Sequence, residues 1–544
     1  MNHEANLHSI QALEKQIEEG KGDIIELKRT RNSLLNISTH VPPEILARIF
    51  VWTLFRKVLV FRYLLDSLSH FDGLRKGSYN FLLVCHHWFE VASRTPELWS
   101  FWGNTLQDWK KRHHRSRATP ADLVLYEPRR RHRSWHHSAP IDGPLLDAIR
   151  SRVTQDIIRQ AHLSSCDHNT LASIVSSLTP DDEGRRNENI ESIVWRNRSL
   201  TPVDISHFFA RSRLEKLYLL ELTGKFHISS WDRLASCTTL LTALSLDISE
   251  SPPSPAPTAS QLVSILTSSP NLRELRLSGA ALPNDTDGSA FQAQLRNLKI
   301  LSVEGVLRRL FDLLHRLILP QALDEIHLTV YDPTVEDISQ TLAPYMHDYF
   351  RRDVRFQDTL VVSSCSSHGS ISIVVCVLSA PVTAPTLSSP VSFTVGVENI
   401  LPNEVEQFLI NLITPIPREP VICFAADLDT KLPEELLLMM PNISTLNIYD
   451  IELTKGFLQP DPDGPNPEAK LLPSLRWLSL GNITLDDDNW GHLTTYLAHQ
   501  TSDDQLISLT VFDDVPHIPP EVADEIKGLV GEFIDDPDPG VEDK

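Results

Sequence analysis

From about residue 190 onward the chain repeats a short spacing of apolar positions: apolar, two spacers, apolar, one spacer, apolar. Clear copies are Leu214/Leu217/Leu219, Leu241/Leu244/Leu246 and Leu272/Leu275/Leu277. Leu298/Leu301/Val303 and Leu323/Ile326/Leu328 continue the run. Near the end come Ile443/Leu446/Ile448, Leu475/Leu478/Leu480 and Leu506/Leu509/Val511, and Ile190/Ile193/Trp195 is a weaker early copy. Alternate residues of a strand share a face, so each copy predicts one short strand with one buried side. The stretches between copies, such as Ala259 to Ser268, predict helices that cover the strands. No unit of about 25 to 32 residues buries its own apolar face, so neighbours must stack into a curved array over 141–515.

The spacing is poor over 332–440, although Ile371–Leu378, Val391–Val397 and Val421–Ala425 read as strands. The alternative is two shorter arrays joined through that region. Proline-rich stretches at Ser251–Pro257, Pro381–Pro390 and Pro460–Pro467 predict loops on the rim of the array.

The first hundred residues follow a different pattern. Residues 7–37 carry an apolar seam at Ile10, Leu13, Ile17, Ile24, Leu27 and Leu34, the spacing of a short coiled coil. Within it, Gly20 and Gly22 each cost about 1 kcal/mol of helix relative to Ala. The N-terminal helix, 1–40, is thus either a dimerising or partner helix, or one folded back on its own chain. In 41–102, Pro43 suits a first helical turn, and Glu44 suits the positive helix end. Ile45, Leu46, Ile49 and Phe50 form one apolar helical face, and Cys85, Trp88, Phe89 and Ala92 form a second.

The blocks Val41-Pro42-Pro43-Glu44-Ile45-Leu46 and Leu83-Val84-Cys85-His86-His87-Trp88, with Pro96-Glu97-Leu98-Trp99 behind them, resemble the F-box, a small helical module. The opening Leu of that motif is Val41 here, and the two halves are separated by an apparent insertion at 55–78. The downstream repeats are similar to leucine-rich repeats, though without a consistent Asn closing each strand. The expected fold is mixed α/β: a helical F-box module and an irregular solenoid, preceded by an N-terminal helix. The resemblance to fungal F-box proteins implies docking to a Skp-type adaptor and through it to a cullin. Pro42, Ile45, Leu46, Ile49, Leu82 and Val84 would contribute the contact, or would pack the module core. It also implies that the repeats hold a target protein for ubiquitination. A scaffold without ubiquitin output is the alternative.

Charge sharpens this picture. The chain has 544 residues and a formal net charge of −21, which disfavours a whole-chain role on nucleic acid or an acidic membrane. One connector, 103–140, runs the other way. Within it, nine Lys and Arg between Lys110 and Arg133 face Asp122 and Glu127. This reads as a solvated loop, or as a nuclear-import or acidic-partner patch. The closing segment, 516–544, is strongly acidic and is expected to fray as a solvated tail. The N-terminus lacks the layout of a signal peptide, and no apolar run approaches the ~18–20 residues of a membrane span. A cytosolic or nuclear chain is expected.

Enzyme signatures are absent from the sequence. There is no phosphate loop, GxGxxG, HExxH or GxSxG. The six cysteines form no CxxC pair, and the histidines of the connector lack finger spacing. The expectation is therefore a non-catalytic recognition protein with no cofactor and no metal.

Overall fold

A computed structural model describes residues 9–13, 15, 27, 30, 41–64, 86–99, 101–102, 119–126, 143–153, 158–164, 168–179, 188–197, 199–229, 231–249, 256–283, 292–320, 323–352, 359–367, 370–378, 392–401, 404–416, 423–427, 440, 442–448, 474–480, 487–501, 508–512 and 520–536. Contacts divide the chain into two units, Met1–Leu241 with Ile248–Pro255, and Thr242–Asp247 with Ala256–Lys544. Both are mixed α/β, and their strands pair mostly in parallel.

The first unit opens with helices α1 (Pro43–Leu64) and α2 (His86–Arg94), followed by a 3-10 turn at Pro96–Trp99. Strands β1 (Phe101–Trp102), β2 (Ala121–Tyr126), β3 (Ile158–Ser164) and β4 (Ser192–Asn197) come next. The short β5 (Val203–Asp204) precedes β6 (Leu219–Gly224), and the short β7 (Phe226–His227) follows it. β1, β2, β3, β4 and β6 are parallel in chain order. Helices α3 (Gly143–Val153), α4 (His168–Leu178), α5 (Ser206–Arg211) and α6 (Trp231–Ala235) lie between the strands in sequence. α4 forms where Leu171, Ile174, Val175 and Leu178 fall at i, i+3, i+4 and i+7, and all four are buried.

Asn197 shows how one loop of this unit is fixed. Its side-chain amide donates to the Thr201 and Lys225 carbonyls at 3.0 and 2.5 Å, and its side-chain oxygen accepts from the Ser199 N–H at 3.0 Å. Gly224 lies against its backbone with φ +101°. A Cβ there would stand 1.9 Å from the Asn197 carbonyl oxygen, so only glycine fits.

The second unit runs through β8 (Ala243–Ile248), α7 (Ala259–Thr267), β9 (Glu274–Gly279), the short β10 (Ala293–Gln294) and β11 (Ile300–Val306). It continues with α8 (Leu307–Leu314), the short β12 (Leu317–Ile318) and β13 (Glu325–Tyr331). α7 starts on a reciprocal cap: Thr258 accepts from the Gln261 N–H, and the Gln261 side chain accepts from the Thr258 N–H. β8 meets β9 where the Arg273 and Glu274 N–H groups both donate to the Thr242 carbonyl. β9, β11 and β13 then pair in parallel with the apolar copies aligned, Leu275 with Leu301 with Ile326, and Leu277 with Val303 with Leu328. All six are buried.

Residues 332–440 keep the sheet continuous by a change of direction. A helical turn capped by Thr334 leads through a π turn, Ile338–Leu342, into α9 (Ala343–Arg352). Three strands follow: β14 (Thr359–Ser367), β15 (Ser370–Leu378) and β16 (Ser392–Ile400). β16 lies parallel to β13, and β15 runs antiparallel between β16 and β14. Helix α10 (Val405–Ile413) precedes β17 (Cys423–Asp427), which pairs in parallel with β14. The spatial order is therefore β13, β16, β15, β14, β17. The region bridges the two runs of repeats instead of separating two arrays.

From β17 the parallel ladder resumes through β18 (Thr445–Ile448), β19 (Trp477–Leu480), β20 (Ser508–Phe512) and β21 (Glu532–Asp536). Leu446, Leu478 and Leu509 are in register, as are Ile448, Leu480 and Val511. Helix α11 (Asp487–Thr501) precedes β20, and α12 (Pro520–Leu529) precedes β21.

Three expectations change. The repeat expected at Leu214/Leu217/Leu219 is shifted by three residues: Ile193 pairs with Leu220 and Trp195 with Leu222, so the copy is Leu217/Leu220/Leu222. A leucine-rich stretch offers both phases, and strand pairing selects the second. Strand β2 falls inside 103–140, where a connector was expected, because Ala121, Leu123 and Leu125 are fully buried. The acidic segment 516–544 is not a solvated tail throughout. The buried Ile526 anchors α12 while Glu521, Asp524 and Glu525 face out, and β21 pairs with β20 over five residue pairs.

The insertion expected at 55–78 begins inside α1, which runs unbroken to Leu64. Its remainder from residue 65, with Leu82, Val84 and Cys85, lies outside the described residues. Of the heptad seam, residues 9–13 are helical, and most other positions are likewise outside them, as is the basic run from Lys110 to Arg117 and from Arg129 to Arg133.

Candidate functional site

Helix α1 carries apolar residues on two sides, and packing separates them. Leu46 and Phe50, one turn apart, enter a core with Val91, Ala92, Leu98 and Trp99. The Phe50 and Trp88 rings meet at 5.0 Å. Trp99 closes the module by donating its indole N–H to the Ala92 carbonyl at 2.8 Å, and the Thr95 hydroxyl caps the Val91 carbonyl at 2.8 Å. These bonds turn the chain sharply after α2 and satisfy the buried Thr95 hydroxyl and Trp99 indole N–H.

On the other side of α1, Ile45, Ile49 and Trp52 are 45%, 48% and 62% exposed at i, i+4 and i+7. Pro42 is exposed at the start of the same helix, and Phe89 on α2 is also exposed. Leu46, by contrast, is 2% exposed and serves the core. The face expected from Ile45, Leu46, Ile49 and Phe50 thus divides into a packed pair and an open pair. Trp52 extends the open pair, a residue that sequence reasoning passed over. Its spacing of three from Ile49 was the available signal.

The second surface is the side of the second unit's sheet opposite the buried leucines. One row runs Arg276, Ser302, His327, Thr394 and Cys376 across β9, β11, β13, β16 and β15. The next runs Ser278, Glu304, Thr329, Gly396 and Val374. Asp247 of β8 accepts a hydrogen bond from the Ser278 hydroxyl. All but the buried Gly396 are half-buried or exposed. Arg276 pairs with Glu274 at 2.9 Å, and His327 stands 3.6 Å from Glu325. Burial, with Arg276 nearby, holds the His327 imidazole below its ordinary range despite the Glu325 carboxylate. Burial and the neighbouring Asp247 and Glu398 carboxylates push the Glu304 carboxyl up.

The first unit's sheet carries a bidentate pair, with Arg159 donating to both Asp122 oxygens at 2.9 and 2.6 Å. Burial pushes the Asp122 carboxyl up, and Arg159 only partly offsets that. Ser192 Oγ and His162 Nε2 lie 2.9 Å apart, but Ser192 is 1% exposed and closed to solvent. Burial also pushes the Cys237, Cys376 and Cys423 thiols up, so all three are poor nucleophiles near neutral pH. Among the described residues, no group of His, Cys, Asp and Glu is gathered to hold a metal ion, and no helix is long and apolar enough to cross a membrane.

A scan against protein-family models found no match to the chain, and a search of curated proteins found none either.

Proposed function

We propose that this chain is the substrate-recognition subunit of a Skp-cullin-F-box type ubiquitin ligase. The observation that carries the reading is the exposed Ile45/Ile49/Trp52 stripe, held on a helical module whose core closes without it. Large apolar side chains exposed at helical spacing are the pattern of an amphipathic helix that meets a partner. The resemblance of 41–102 to the F-box names that partner as a Skp-type adaptor, and through it a cullin.

In this reading the open sheet face of a leucine-rich-repeat-like array holds the target protein. The chain does no chemistry of its own. It raises the effective concentration of target lysines at a ubiquitin-charged enzyme. The test is a pull-down of purified Skp-type adaptor by the folded wild-type chain and by an Ile45→Asp/Ile49→Asp variant. Capture by the wild type and its loss in the variant are expected. Failure of the folded wild type to capture the adaptor overturns the reading.

A further inference from the structure

We infer that the open sheet face of the second unit between β8 and β16 docks an extended basic segment of the target, with cationic side chains about three residues apart. The inference rests on the receptor reading above and adds the chemistry of what is received.

The face is a floor of short side chains: Ser278, Ser302, Thr329 and Gly396. No bulky group rises from those positions, so an extended backbone can lie close. Val306, at the end of β11, and Val374, beside Gly396 on β15, are exposed and offer apolar contact.

Charge decides which segment fits. The face's one fixed cation, Arg276, is engaged within it by Glu274, and His327, which burial keeps toward its neutral form, stands against Glu325. Asp247, Glu304 and Glu398 have no cation within ion-pair distance among the described residues. Asp247 and Glu398 each lie near enough to Glu304 to disfavour its charged form. They are nevertheless not gathered into a metal-binding group.

Their spacing follows from the ladder. Asp247 sits beside Ser278, and Glu304 is the register partner of Ser278 on the far side. Asp247 and Glu304 are thus two strand spacings apart, about 10 Å. Glu398 is two strands and two residues further on, about 12 Å away. A segment in the extended polyproline II conformation advances about 9 Å in three residues and returns every third side chain to the same face. Separate cationic side chains at that interval meet the carboxylates one to one, which a single ion cannot do. A second copy of this chain, at net charge −21, is the wrong sign for the face.

The experiment uses the full chain and a fluorescent (Arg-Ser-Ser)4 peptide, read by anisotropy. Comparison peptides are (Gln-Ser-Ser)4 and a block isomer with its four arginines contiguous. The variants are Glu304→Gln/Glu398→Gln and, as a charge-matched control away from the face, Glu521→Gln/Glu525→Gln on α12. We expect the spaced arginine peptide to bind best, the face variant to weaken it by about tenfold, and the control to leave it unchanged. Equal weakening by both variants, equal binding of the block isomer, or no binding by the wild type overturns the inference. So does a dimer in sedimentation that the face variant dissolves, which would assign the face to a second copy. Adaptor capture is measured on the same samples. If the adaptor is captured and the peptide is not, only this inference fails. If the adaptor is not captured, the receptor reading fails with it.

Discussion

Phe50 on α1 and Trp88 on α2 meet with ring centroids 5.0 Å apart and planes tilted by 59°. The contact joins the two halves of the helical module across the residues that separate them in sequence, and Phe50 is 2% exposed beneath it. Phe50→Ala removes this contact and leaves a cavity, at about 3–5 kcal/mol. Ile49→Asp changes an exposed position on the same helix. The expected outcome is that Phe50→Ala lowers the thermal midpoint of the module and Ile49→Asp does not, while both lose adaptor capture. Circular dichroism melts beside pull-downs check it. Comparable destabilisation by both would mean that Ile49 belongs to the core.

Gly224 faces the Asn197 carbonyl with no room for a side chain. Gly224→Ala should destabilise the first unit by at least about 2 kcal/mol, because backbone must move against backbone. Denaturant titration measures this. Asn197→Ala should also destabilise, by leaving the Thr201 and Lys225 carbonyls and the Ser199 N–H without that partner.

Glu304 gives a pH test. Its carboxyl is pushed above the ordinary 4.5 in the folded chain, by burial first and then by Asp247 and Glu398. The folded state therefore holds the proton to higher pH than the unfolded chain does. Stability from this group is present below pH 4.5 and is lost as pH rises through the folded value. Glu304→Gln removes that loss. The variant should melt higher than wild type at neutral pH, and the difference should shrink toward pH 4. A gap that is constant with pH would exclude the charge as its cause.

Removal of residues 520–544 should lower the thermal midpoint and promote association. It takes away Ile526 and the five residue pairs of β21, and bares the edge of β20. Scanning calorimetry and size-exclusion chromatography check both effects. An unchanged midpoint would mean that the acidic end adds nothing to the fold.

The repeat spacing was legible because one buried side per strand leaves a fixed apolar signature, as at Leu275, Leu301 and Ile326. Phase was less legible. Between Leu214 and Leu222 nearly every candidate position is leucine, so pairing with Ile193 and Trp195 decides it. Strand β14 escaped because Ser363, Ser364, Cys365, Ser366 and Ser367 dilute its apolar positions. Its place is set by tertiary pairing more than by propensity. The order of β13, β16, β15, β14 and β17 has no local signal at all. In the helical module, composition grouped Ile45 with Leu46 and Ile49 with Phe50, and only packing against α2 could part them. The acidic end misled because charge count says nothing of which side a charge occupies. On α12 the acids are outside, and Ile526 alone reaches in.

The reversed strand β15 has a kinetic consequence. β9, β11 and β13 add one neighbour at a time, each joined to a segment made a single repeat earlier. β16 cannot join β13 at Glu325 and Ser392 until the chain between them has been laid aside, and β17, though it pairs with β18, cannot join the earlier strands until β14 is fixed. These are the long closures of the second unit, and loop entropy opposes them before any contact rewards them. Repeats to either side can zip up from their neighbours. Refolding of this unit should therefore pause at the three-strand turn, with β9–β13 and β17–β21 each formed from their own neighbours and joined only once β14, β15 and β16 are in place.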